Sequence, residues 1–217
     1  MATPDAPEQA SRRQQRRILH QDLSRSQLLD AAEEVFGEKG FHATTLKEIA
    51  ELAEFSVGSV YSFFDNKDDL YLSVFLRRGA EFMPGMRAVV ADDESPLAQL
   101  HALVDYEVTF FRRHRHFGRL YLRSFTTTRP TVEMPDSSTL ADNLHTAMEL
   151  QAHVFVRGQA SGELRAGDPQ VLARLFSGIV GAYQSLDPAV MDDDAEPVER
   201  LPLTDLHDMV ERAFRRS

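Results

Sequence analysis

The segment Thr45-Leu46-Lys47-Glu48 restricts the fold more than any other feature of this chain, because it is a complete helix-capping box. The threonine hydroxyl and the glutamate carboxylate each satisfy a backbone N–H that the first turn of a helix leaves unpaired, so a helix starts there. Leu46, Ile49, Ala50 and Ala53 then fall on one apolar face. A few residues later Ser56 offers a second cap, predicting a helix over residues 56–62 with Val60, Tyr61 and Phe64 turned inward. Asp65 or Asn66 caps a fourth helix that runs from Lys67 through Leu70, Val74 and Phe75. Upstream, Ser24-Arg25-Ser26-Gln27 reads as a cap for a first helix carrying Leu28, Ala32, Val35 and Phe36, which Gly37 and Gly40 end. A short capped helix, a tight turn and a second short helix set against longer neighbours is the outline of a helix-turn-helix, although a plain structural helix pair shares it.

The remainder is also helical. Pro84-Gly85 predicts a kink or end of the fourth helix, and Ser95-Pro96 supplies a cap and a first-turn proline for the next, over residues 97–114. A helix over residues 117–127 stops before Arg129-Pro130, and loop composition continues to residue 136. A long amphipathic helix follows over residues 138–160, then a Gly-rich stretch, and Asp168-Pro169 opens a helix that reaches Leu186. Residues 187–202, with Asp192-Asp193-Asp194, read as a solvated loop, and Thr204 caps a last helix with Leu206, Met209, Val210, Ala213 and Phe214 inward. The expected class is all-α, with about nine helices, an N-terminal helix-turn-helix and a larger C-terminal helical domain.

Composition limits what such a chain does. Of 217 residues, 42% are hydrophobic and 27% charged, which is ordinary globular usage and allows a real core. No apolar run approaches the roughly 18 residues that a membrane span needs, no hydrophobic signal core opens the chain, and there is no Cys. A reducing, cytoplasmic location is therefore expected, without disulfides or thiolate metal sites. The net charge of −10 excludes a protein that holds nucleic acid by general attraction, so any DNA contact is local. Residues 1–22 are expected to form a flexible, partly basic arm, in which Arg12, Arg13, Arg16, Arg17 and His20, followed by Arg25, face the single acid Asp22. Such an arm enters a minor groove or is merely solvated.

The stretch from Ser24 to Phe75 resembles the tetracycline-repressor-like (TetR) family of transcriptional regulators. The likeness is carried by Ala31-Ala32-x-x-Val35-Phe36-x-x-x-Gly40-Phe41, Thr44-Thr45-Leu46-x-x-Ile49-Ala50 and Ser56-Val57-Gly58-Ser59-Val60-Tyr61-x-x-Phe64-x-x-Lys67-x-x-Leu70. It implies a DNA-binding domain over residues 23–72 and an effector-binding, dimerising domain over residues 73–217. From the residues themselves, Ser56, Val57, Gly58 and Ser59 open the recognition helix, where small side chains let the backbone approach the major groove. None of them makes a bidentate base contact, so specificity is expected to rest also on Thr45, Lys47, Ser62 and DNA shape. The resemblance implies that Tyr61 and Lys67 hold phosphates. One position departs from the family: Glu54 stands where the turn usually has Gly, and a left-handed conformation there costs Glu about 1 kcal/mol.

The resemblance also implies a four-helix dimer contact. The expected interface residues are Leu172, Leu175, Phe176, Ile179, Tyr183, Leu206, Met209, Val210 and Phe214, with Gly178 and Gly181 permitting close approach; an internal core helix is the alternative. Phe82, Met86, Tyr106, Phe110, Phe117, Phe125 and Met148 are candidates to line an apolar ligand cavity, or belong to the core. The histidines His101, His114, His116, His145 and His153 lack metal-ligand spacing, so no metal or cofactor is expected. His114 and His116 are read instead as capping a helix end or meeting an anionic head group. With no phosphate loop, no Cys and no defensible catalytic triad, an enzyme is not expected. The expected activity is that of a homodimeric repressor released from a palindromic operator in double-stranded DNA by a small, apolar effector, with a corepressor-dependent or activating protein as the alternative.

Overall fold

A computed structural model describes residues 6–126, 137–192 and 201–216, with the side chains of residues 6–12, 125 and 126 outside that description. Ten helices are seen: α1 (Ala6–Lys39), α2 (Leu46–Leu52), α3 (Val57–Val60), α4 (Lys67–Ala91), α5 (Pro96–Arg113), α6 (Arg115–Thr126), α7 (Ser138–Ser161), α8 (Pro169–Leu186), α9 (Pro188–Met191) and α10 (Leu203–Phe214). Among the described residues the sole strand-like pairing is an isolated bridge between Leu164 and Arg215. Among the described residues no helix is long and apolar enough to cross a membrane.

The caps read from sequence fix most helix starts. Thr45 Oγ1 accepts from the Glu48 N–H, and Glu48 Oε2 accepts from the Thr45 N–H at 2.9 Å. Ser56, Asn66, Ser95, Ser137 and Asp168 each accept from a backbone N–H two or three residues on. Gly40, at φ +78°, closes α1 in the left-handed conformation that glycine adopts without a Cβ clash.

Five expectations are corrected. First, α1 begins at Ala6, so residues 6–22 are helical rather than a flexible arm, and Ser24 is buried inside the helix instead of capping it. The Gln-, Arg- and Leu-rich segment contains no breaker after the first turn, and helix propensity carries it through. Second, α4 passes Pro84-Gly85 unbroken. Tyr106 Oη donates to the Phe82 carbonyl at 2.6 Å, and its ring lies where a Cβ on Gly85 would sit, so α5 braces α4 at the proline. Third, residues 187–202 do not open as a solvated loop throughout. Asp187 is wholly buried, its Oδ2 accepts from Arg112 Nε at 2.7 Å, and the four-residue α9 follows it. Fourth, that helix raises the expected nine to ten. Fifth, Pro202, not Thr204, stands at the N-cap of α10. The expected loop at residues 127–136 lies outside the described residues.

Two apolar cores result. One joins α1–α4 to α6 and contains Phe36, Tyr71, Phe75 and Phe117; the other joins α5, α7, α8 and α10 around Phe155, Phe176 and Phe214. Phe82 packs against both. The aromatic row Phe36–Tyr71–Phe75–Phe117 has centroid spacings of 5.0, 5.1 and 5.5 Å, in edge-to-face contact. At Gly37 any Cβ would meet the His116 carbonyl oxygen at 2.5 Å, so glycine is what allows α1 to lie against the start of α6.

Candidate nucleic-acid interface and internal cavity

The face formed by α2 and α3 is shaped by its own side chains. Ser56 Oγ lies 2.8 Å from Ser59 Oγ and accepts from the Ser59 N–H, while Ser62 Oγ donates to the Ser59 carbonyl. Val57, Gly58 and Tyr61 are exposed, with Tyr61 at 57%, and a Cβ on Gly58 would touch nothing nearer than 3.7 Å. Val60 is buried, which anchors the four-residue α3. Lys47 is 75% exposed and pairs loosely with Glu51 at 3.5 Å. Thr45 is held in its capping box; Lys39 reaches the same Glu48 at 2.7 Å, and this hydrogen bond, with those from Thr45, lowers the Glu48 pKa to about 2. The turn residue Glu54 sits at φ +60°, the left-handed conformation expected of the glycine it replaces.

Lys67 is placed differently from the expected phosphate holder. Its ammonium donates to the Phe41 and Thr44 carbonyls at 2.9 and 3.0 Å and lies 4.3 Å from the Phe41 ring centroid. It thereby ties the loop before α2 to the start of α4. Asp65, Asp68 and Asp69 surround that helix start, which further disfavours an anion there.

A cavity of about 320 Å³ lies between α4, α5, α6, α7 and α8. Of the expected lining residues, Phe82, Met86, Phe117 and Met148 line it. Tyr106 and Phe110 do not; Tyr106 is bonded to the α4 backbone, and Phe110 packs on Phe82 with centroids 5.0 Å apart. The Phe125 side chain lies outside the described residues. Sequence reasoning missed the polar part of the wall. Gln151 Nε2 donates to Glu107 Oε1 at 3.0 Å, and Ser177 Oγ donates to Gln151 Oε1 at 2.6 Å. Burial pushes the Glu107 carboxyl up to about 7, against the smaller opposing effect of the Gln151 bond. The available signal was a polar residue interrupting an apolar stripe, as in Phe176, Val180 and Gln184 at four-residue steps on α8.

Arg78 belongs to the cavity wall and to the contact with α1 at once. Its Nε and Nη2 donate to Glu33 at 2.7 and 3.0 Å, and its Nη1 donates to Glu81 at 2.7 Å. Arg77 binds the same Glu33 and Asp30. Among the described residues no cluster of three or more His, Cys, Asp or Glu could hold a metal. His114 is the C-cap of α5, and burial, with the nearby Arg78 charge second, lowers its pKa.

Of the expected interface residues, Leu172, Phe176, Leu206, Val210 and Phe214 are buried within this single chain and build the core beneath the surface. The exposed apolar stripe on α8 is Val171, Leu175 and Leu186, and Met209 of α10 is exposed as well. Ile179 and Tyr183 are half-buried, and Tyr183 donates to the Leu201 carbonyl. Gly178 meets open space, whereas Gly181 lines the cavity.

With this geometry in view, residues 28–74 match the family model described as bacterial regulatory proteins, tetR family. The chain is 33% identical over 114 residues to the HTH-type transcriptional activator FasR of Mycolicibacterium smegmatis, a match spanning 52% of each chain, about half the relative's length. Its fold is similar to that of the transcriptional regulator FadR of Bacillus subtilis in complex with stearoyl-CoA, with TM-score 0.68, 20% identity and 86% and 95% of the two chains covered. It is similar again to AibR in complex with isovaleryl coenzyme A and operator DNA, with TM-score 0.69, 19% identity and 87% and 97% covered. At those identities the two structures speak for the fold alone. Residues 28–74 therefore form a helix-turn-helix domain of the tetR type of bacterial regulatory proteins.

Proposed function

We propose that the protein is a homodimeric repressor that a small, mainly apolar molecule releases from a palindromic operator. The observation that carries this reading is the continuity of α4. Its start closes the recognition unit at Lys67, and Phe75, Arg78, Phe82, Met83 and Met86 of the same unbroken helix line the cavity. A ligand that shifts α4 therefore re-aims α3, with no break at Pro84-Gly85 required. In a dimer two α3 elements about 34 to 36 Å apart read successive half-sites, and a ligand favouring another separation lowers affinity. The exposed stripe of Val171, Leu175 and Leu186 on α8 supports the dimer, because large apolar side chains left on one helix face are covered by a second copy of the same face. The stearoyl-CoA bound to FadR and the isovaleryl coenzyme A and operator DNA bound to AibR support the ligand and DNA partners.

Within the interface, Val57, Gly58 and the hydroxyls of Ser56, Ser59 and Ser62 approach base edges, and Tyr61 reaches a phosphate. The exposed Lys47–Glu51 pair is worth less than about 1 kcal/mol and yields readily to DNA. Lys67 sets the angle of α2 rather than binding phosphate itself. The test is duplex affinity measured against effector concentration and salt. Tyr61→Phe should weaken all duplexes by about tenfold, Lys47→Ala should also relax sequence preference, and Lys67→Ala should lower the melting temperature. A ligand that raises the melting temperature yet leaves duplex affinity unchanged overturns the release mechanism. Because FasR is named an activator, the same titration decides the sign of the response.

A further inference from the structure

Among the described residues, the cavity wall holds a fully buried polar group that has no partner. Gln184 of α8 is 2% exposed, and its Nε2, buried at the cavity, has no hydrogen-bond partner among the described residues. A buried donor in that state costs about 1–3 kcal/mol unless an acceptor is supplied. The neighbouring polar groups, Ser177, Gln151 and Glu107, are already bonded to one another. The wall's arginine is also committed: Arg78 directs Nε and both terminal nitrogens to Glu33 and Glu81, so an incoming anion competes with two carboxylates in place. Glu107 adds its own repulsion, and its carboxyl, raised to about 7, shows how poorly this wall tolerates negative charge. At about 320 Å³ the space lies at the small end of the 300–1,000 Å³ typical of ligand pockets.

Resting on the reading of this cavity as the effector site, we propose that it takes an uncharged, mainly apolar molecule whose hydroxyl or carbonyl oxygen accepts from Gln184 Nε2. An acyl-coenzyme A or a free carboxylate is excluded by the same wall. The phenyl rings of Phe75 and Phe82 and the side chains of Met83, Leu144 and Met148 surround the apolar body. The oxygen completes the Gln184 donor, so recognition of the head group comes from α8 while the body presses on α4.

A matched series on the full-length protein tests this: 1-decanol, 2-undecanone, decanoate and decanoyl-coenzyme A, followed by calorimetry and by duplex release. The alcohol and ketone should bind at least tenfold more tightly than either anion. Gln184→Leu should lower 1-decanol affinity by about tenfold without lowering the ligand-free melting temperature, because it removes a donor that has no partner in the free protein. Gln184→Glu, which keeps the shape and loses the amide donor, should reproduce the loss of affinity. Equal or tighter binding of an anion, no binding across the series, or unchanged affinity in both variants overturns the proposal. If decanoyl-coenzyme A fills the cavity and releases duplex, the effector reading stands and the head-group assignment falls. If 1-decanol binds through Gln184 and duplex affinity stays constant, the reverse holds.

Discussion

The two regions joined by α4 hold their polar groups by different means. In the recognition unit the partners are close in sequence: Thr45 with Glu48 and Ser56 with Ser59 are each three residues apart. In the C-terminal region they come from distant segments, Arg112 with Asp187 at a separation of 75 and, in the cavity wall, Glu107 with Gln151 at 44. A surface built from local caps keeps its shape while the body beneath it adjusts. A cavity built from long-range bonds changes shape when any one of its helices shifts. Lys67 is the exception on the recognition side, since it reaches back 26 residues to Phe41 and so links the local unit to α4.

The contrast breaks most sharply at Asp187. Asp187→Ala leaves the Arg112 guanidinium half-buried and without its carboxylate, which should cost about 3–5 kcal/mol. Urea unfolding at a fixed protein concentration checks it, and a loss below 1 kcal/mol would show that the distant pair does not hold the C-terminal region. Next comes Glu107→Gln. The Glu107 pKa rises from 4.5 to about 7 on folding, so its protonated form is favoured in the native state. The native protein therefore loses stability as pH rises from 4.5 through 7, by up to roughly 3 kcal/mol. Glu107→Gln should abolish that loss and be the more stable protein at pH 8. The difference between the two stability–pH curves isolates Glu107, because His101 and His114, whose pKa values burial lowers, titrate in both. A difference curve that stays flat from pH 4.5 to 8 contradicts this assignment. The smallest effect belongs to the local unit: Glu54→Gly relieves the φ +60° backbone and should raise the free energy of unfolding by up to about 1 kcal/mol, read from the same urea titration.

The recognition unit was legible because its signals are short-range. Thr45, Glu48, Ser56 and Asn66 each act on the backbone within one turn, and the glycine-like conformation at Glu54 follows from a single position in a turn. The length of α1 was not legible, because Ser24 offers a plausible cap yet the segment before it has no residue that stops a helix. Pro84 misled in the opposite sense: a proline breaks an isolated helix, but packing by Tyr106 holds α4 through it. Leu172, Phe176 and Val210 have the periodicity of an interface and of a core alike, and hydrophobic spacing does not distinguish the two.

What the sequence determined by itself are the starts of α2, α3, α4, α5 and α8 with their caps and the small, exposed opening of α3, since each depends on groups within a turn of one another. Only the tertiary structure decided that Lys67 ties down a loop, that Asp187 is buried against Arg112, and that Gln184 directs an unpaired donor at a cavity. Those outcomes depend on which helix lies opposite. A side chain's own helix fixes its direction, but its partner is supplied by chain that is remote in sequence and close only after folding.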